Sequence, residues 1–281
     1  MNKRIVSALI KKDIKSMLLS KRTWGPMLLV SILLCILLPA AIAYGGAYKD
    51  NLSFMSGQNI DKTMESVVDR LPSSDFKDQL LSLDTLGQKF SFFFLSYQLV
   101  SIFLMVTVIN SMVTATSSFV SEKERGTLET LLFSPITIKE LFVGKILASF
   151  IPSIIITYVA YLASFALINS LTFKVFHSLL FINPMWLLLM FWVVPGLVLF
   201  NILLNVLISA KMKTYQEAQQ FGGLLILPFV GLIVSQATGL FLVSPMVLIV
   251  LGALLYGLVV GLLLLITKMT KRNSLFESQI H

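Results

Sequence analysis

WGPMLLVSILLCILLPAAIAY, Trp24 to Tyr44, runs for 21 residues without a charge. As a helix it is about 31 Å long at 1.5 Å per residue, enough to cross a bilayer core of about 30 Å. Ala41-Ile42-Ala43 resembles a cleavage site, but the length of the run favours a retained span. Pro26 fits a first helical turn, and Pro39 should kink the helix.

The same texture recurs along the chain. Six spans are expected, at about 24–44, 90–116, 146–169, 184–208, 221–242 and 245–267. The chain is 56% hydrophobic and 13% charged, with mean hydropathy +0.87. A soluble domain carries nearer a quarter charged residues, so lipid is the implied solvent. Helices suit it because they satisfy their own backbone hydrogen bonds. The expected fold is an all-α polytopic membrane protein with six transmembrane helices, preceded by an N-terminal amphipathic interfacial helix over 1–23. The transmembrane domain then occupies 24–281.

Six crossings put both termini on one side. That side carries 16 of the 22 Lys and Arg residues, in the N-terminal tail, 117–145, 209–220 and the C-terminal tail. Five fall in 45–89, and Lys174 stands alone in the third loop. Positive flanks favour the cytoplasm, so both termini are expected there. This placement explains the net charge of +8 without nucleic acid. Cys35 is the lone cysteine, which excludes an intrachain disulfide and a multi-cysteine metal site.

The N-terminal stretch places Ile5, Leu9, Ile14, Met17 and Leu18 roughly on one helical face. Lys11, Lys12, Lys15, Lys21 and Arg22 are left for headgroups or water. The outer loop, 45–89, offers two short helices. One carries Ile60, Met64, Val67 and Leu71; the other carries Phe76, Leu80, Leu83 and Leu86. Its acids alternate with basic residues and read as a solvated surface rather than a calcium loop. Lys174 and His177 read as surface groups. No HExxH, GxSxG or GxxxxGK[ST] pattern occurs, so neither a hydrolase nor an ATPase site is expected in this chain.

SEKERGTLETLLFSPITIKELFVGK, Ser121 to Lys145, breaks the apolar pattern with eight charges in 25 residues. Ser121 and Glu124 have capping-box spacing, and Ser134-Pro135 can end one helix and begin another. Leu128, Leu131 and Leu132 offer an apolar face beside Lys123, Arg125 and Glu129. Two readings stand: a charged loop lying on the membrane, or a docking element for a soluble partner.

EKERGTLETLLFSPI followed by ELFVGK resembles ABC-2-type transporter permeases, in particular the multidrug- or sodium-export-like branch with its E-x-E-x-G-T-x-E segment. The matching positions are Glu122, Glu124, Gly126, Thr127 and Glu129, with Ser134-Pro135 and Gly144-Lys145 continuing the likeness. The resemblance implies a permease paired with a second copy or a related permease. It also implies cytoplasmic ABC ATPase subunits as partners. ATP and Mg would belong to those subunits, and this chain would bind no cofactor. The 117–145 segment would be the coupling element, with Glu122, Glu124, Arg125, Gly126, Thr127, Glu129 and Leu132 in contact with the ATPase. The large outer domain of some sodium-export-like members is missing from 45–89, which argues against a sodium assignment.

Within the spans, Asn110, Ser111, Thr114, Thr116 and Ser117 are polar, as are Asn201 and Asn205, four apart on one face. Asn110, Thr114, Asn201 and Asn205 are candidates for a conduit or for helix packing. Tyr215, Glu217 and Gln219 are candidates for partner contact or ordinary turn chemistry. Gly252, Gly257 and Gly261 suggest a tight helix contact in the last span. The expected function is the permease subunit of an ATP-driven exporter, with drug-like amphiphiles, peptides, lipid-linked molecules and cations open as substrates. The alternative is a membrane scaffold or immunity subunit that anchors an ATPase without transport. A membrane enzyme would need a reactive polar cluster, which the sequence does not display.

Overall fold

The structure, a computed structural model, describes residues 2–48, 68, 75–124, 137–212 and 214–270. Regular structure among these residues is helical. Among the described residues six helices are long and apolar enough to cross a membrane: Lys21–Gly46, Leu86–Val120, Lys139–Phe176, Pro184–Ser209, Tyr215–Ala237 and Pro245–Thr267. They correspond in order to the six expected spans and are called spans one to six.

Span two is the hub. Its apolar window is 83% buried inside the chain, against 11% and 22% for spans five and six at the periphery. The second and third spans run well past the apolar core expected of them. Their 35 and 38 residues give about 52 and 57 Å of helix. Span two continues without a break to Glu124. Ser121 therefore lies inside a helix and does not start a new one. The next described helix begins at Ile138, where Thr137 and Glu140 form the capping box: Thr137 Oγ1 accepts from Glu140 N, and Glu140 accepts from Thr137 N. At its far end His177, with φ 49°, closes the helix in the left-handed conformation. Lys174 consequently sits in the last turn of span three rather than in a loop.

Prolines shape two spans. Pro26 lies inside the Lys21–Ser31 helix, because that helix starts earlier than the apolar run. A π-helical stretch, Ile32–Leu37, precedes Pro39. Pro39 has no N–H to give the carbonyl of Cys35, four residues back. That carbonyl accepts instead from the Ser164 hydroxyl of span three. In span four another π stretch, Leu189–Val193, precedes Pro195. There the Tyr158 hydroxyl of span three donates to the Met190 carbonyl at 2.9 Å. Each irregular turn is thus stabilised by a neighbouring span.

A short helix, Asp75–Leu81, packs over the start of span two. Phe76 stacks on Phe92 at 4.9 Å, and Leu80 is fully buried. The second of the two expected outer helices is present over Phe76 and Leu80, while Leu83 follows it and Leu86 opens span two. The first expected helix, with Ile60, Met64, Val67 and Leu71, lies outside the described residues. Spans one and two cross closely here. A Cβ at Gly46 would lie 2.5 Å from the Gly87 carbonyl oxygen, and Ser91 donates to the Ile42 carbonyl at 2.9 Å. Trp186 of span four meets Phe103 of span two edge-on at 5.3 Å, and both are fully buried.

Span five ends at Ala237, earlier than expected, because Gly239 takes a left-handed φ of 67° and turns the chain. Of the three glycines expected in a tight contact on span six, Gly252 meets the Trp192 ring, whereas nothing lies within 4 Å of a Cβ placed at Gly257 or Gly261. Those two face outward from this chain.

Candidate functional site

Helix α1, Lys3–Leu19, is capped by Asn2, whose side chain accepts from Arg4 N at 3.1 Å. Val6, Leu9, Asp13 and Met17 are buried at helical spacing, with Lys3, Arg4, Lys11, Lys12 and Lys15 exposed. The buried stripe packs on the start of span three. Leu18, expected on the apolar face, is instead 65% exposed. Gly144 permits the close approach: a Cβ there would meet Leu9 Cδ2 at 2.5 Å.

One residue of the stripe is an acid. Asp13 is 4% exposed and pairs at 3.5 Å with Lys145, itself 1% exposed. Lys145 Nζ donates to the Ser118 carbonyl of span two at 2.6 Å. The Ser118 hydroxyl donates to the Asp13 carboxylate at 3.3 Å, and half-exposed Lys12 lies 3.5 Å from its other oxygen. Lys145 also stands 5.6 Å from the Phe119 ring centre. Three helices therefore meet on one buried charge pair. A second tie lies nearby: Glu140 of span three accepts from the backbone N–H of Asn2 at 2.5 Å.

From Lys145 a polar seam climbs between spans two and three. Ser149 donates to the Thr114 carbonyl at 3.3 Å and to Lys145 O at 3.0 Å. Thr114 and Ser153 share a hydroxyl hydrogen bond of 2.7 Å. Asn110, one turn further along, donates to Ser31 of span one at 3.1 Å. On its other flank span two receives Asn201 of span four, which donates to Ser111 Oγ at 2.7 Å and to Val108 O at 2.8 Å. Asn205 donates to Asn201 O at 2.9 Å. Nearer the other end, Gln98 donates to Ile233 O of span five at 2.7 Å, and Ser101 donates to Gln236.

The structure brings Asn110, Thr114, Asn201 and Asn205 into one interior network in which each is at most 1% exposed. Asn110 Oδ1 and Asn205 Oδ1 are buried without a hydrogen-bond partner. Glu122 and Glu124 lie in the last described turn of the span-two helix. Arg125, Gly126, Thr127, Glu129 and Leu132, like the Ser134-Pro135 break, fall outside the described residues. Tyr215 is buried under the Arg22 guanidinium, 4.2 Å from the ring centre, so it is closed to an external partner; Glu217 is exposed.

Asp13 and the start of the seam were missed in the sequence because Asp13 sits among lysines. Its spacing from Leu9 and Met17, four residues each way, was the available signal: a single acid on an apolar stripe. No group of three or more His, Cys, Asp or Glu side chains able to hold a metal forms among the described residues.

A family model described as ABC-2 family transporter protein matches residues 7–246. No curated protein and no solved structure matches the chain.

Proposed function

Because this chain belongs to the ABC-2 family of transporter proteins, we propose that it is the permease subunit of an ATP-driven exporter, powered by separate cytoplasmic ABC ATPase subunits. It would work beside a second copy or a related permease, with both termini in the cytoplasm. The basic face of α1 and its exposed Leu18 and Leu19 would rest against lipid headgroups.

The observation that carries this reading is the pair of long helices flanking the charged motif. Span two runs from the membrane core to Glu124, and span three starts at Ile138. Both are far longer than a bilayer core requires, so a displacement of 125–137 would enter the membrane through continuous helix. Glu122, Glu124, Arg125, Gly126, Thr127, Glu129 and Leu132 would meet the ATPase. ATP-driven closure of two ATPase subunits would then move spans two and three and change access to a route between the permeases.

The polar side chains Asn110, Thr114, Asn201 and Asn205 serve in this account to hold the helices together. Their near-complete burial within one chain favours that role over lining a route. The test is ATP turnover of the permease–ATPase complex in proteoliposomes. Glu122→Ala with Glu124→Ala should lower turnover by at least fivefold at unchanged permease abundance. Unchanged turnover together with unchanged ATPase capture would count against this coupling surface. Intact ATPase capture with no substrate moved would favour the scaffold alternative.

A further inference from the structure

We infer that Asp13 and Lys145 are positioning residues that keep α1, the end of span two and the start of span three together as one body throughout the ATP cycle; this rests on the ATP-driven reading above. Helix α1 would then be carried along with the coupling region and would not act as a static anchor beside it.

Three observations support it. The Asp13–Lys145 pair is almost fully buried, although it lies at the end of the bundle where water is close. A pair so desolvated contributes little net stability compared with an apolar replacement, so its value lies in fixing one arrangement. Secondly, the pair involves three elements at once, through the Ser118 carbonyl and hydroxyl of span two. Lys145 cannot shift relative to either α1 or span two without leaving a buried charge or carbonyl unmatched. Thirdly, Gly144 brings α1 against span three closely enough that Leu9 fills the space of a missing side chain. Glu140 holding Asn2 N–H at 2.5 Å places a second tie about three turns of α1 away from Asp13. The Gly144-Lys145 dipeptide thus has two tasks: close approach and charge.

Geometry supplies a direct test. The Leu9 Cβ lies 3.5 Å from a Cβ built on Gly144, within the range for a disulfide. Leu9→Cys also removes the atoms that a new side chain at 144 would strike. In a Cys35→Ser background, Leu9→Cys with Gly144→Cys is oxidised within the ATPase-bound complex, and ATP turnover is read before and after reduction. One rigid body predicts that the bond forms readily and that turnover is the same within about twofold in both redox states. Asp13→Asn should retain ATPase capture but lose most of the coupled turnover, at least fivefold, and oxidation of the cysteine pair in that variant should restore it.

A tenfold loss of turnover on oxidation, reversed by reductant, overturns the inference, because α1 must then part from span three during the cycle. Failure of the pair to crosslink in the resting complex overturns the close approach itself. A wild-type chain that captures no ABC ATPase sinks the transporter reading instead, and is distinguished by being independent of the cysteines.

Discussion

Lys145→Met isolates the energetics of the buried pair. The substitution preserves much of the side-chain length and removes the charge. It leaves the Asp13 carboxylate, 4% exposed, with the Ser118 hydroxyl at 3.3 Å and the half-exposed Lys12 at 3.5 Å. Breaking a buried pair by deleting one partner costs about 3–5 kcal/mol. Lys12, half in solvent, offsets up to about 1 kcal/mol of that. The expected loss is therefore about 2–4 kcal/mol. Asp13→Asn combined with Lys145→Met removes both charges, and the double variant should lie within about 1–2 kcal/mol of wild type. The assay is equilibrium unfolding of the purified chain in mixed micelles, run as a double-mutant cycle. A coupling energy near zero, with the double variant as unstable as the sum of the singles, would refute the reasoning. A Lys145→Met variant within about 0.5 kcal/mol of wild type would refute it equally.

Three further perturbations test the packing. Gly222→Ala puts a Cβ 2.7 Å from Met112 Sδ and 2.9 Å from Asn205 Oδ1, so it should destabilise by about 1–3 kcal/mol, and Met112→Ala should recover part of that in the same unfolding assay. Ser153→Ala deletes the 2.7 Å bond to Thr114; intramembrane hydrogen bonds average about 0.6 kcal/mol, so a loss of that size is expected and one above about 2 kcal/mol would give the seam a larger role than assigned. Gly257→Ala and Gly261→Ala meet open space in this chain, so neither should destabilise the isolated chain, and helix propensity predicts a small gain.

How legible the fold was in the sequence depends on the solvent it implies. A run such as Trp24–Tyr44 has few alternatives to a membrane span, and all six expected spans correspond to helices long enough to cross. Helix ends were harder to read. Hydropathy falls at Ser117 and stays low to Lys145, but helices continue through charged positions such as Glu122 and Lys139 because caps and neighbouring helices decide where they end. The interior asparagines were visible as polar residues in apolar runs. Their partners were not, since Asn201 finds Ser111 across 90 positions of sequence. Span three held a readable clue in Lys145, Ser149, Ser153 and Thr157, a polar residue every fourth position. That stripe faces the interior. Lys145 was read only as part of a motif and a positive flank, because nothing local announces that its counter-ion lies 132 residues earlier.

The central claim is that this permease works through an ATPase held at the segment between spans two and three. Mild-detergent capture of the tagged chain from native membranes, with mass spectrometry of the bound proteins, tests it most directly. The control replaces 121–136 with an unrelated sequence, leaving the Thr137–Glu140 cap and Gly144-Lys145 in place. The account predicts that an ABC ATPase accompanies the native chain and disappears with a folded loop-swap variant. An intact native membrane complex without any such ATPase, or one that binds the loop-swap variant equally well, would contradict it.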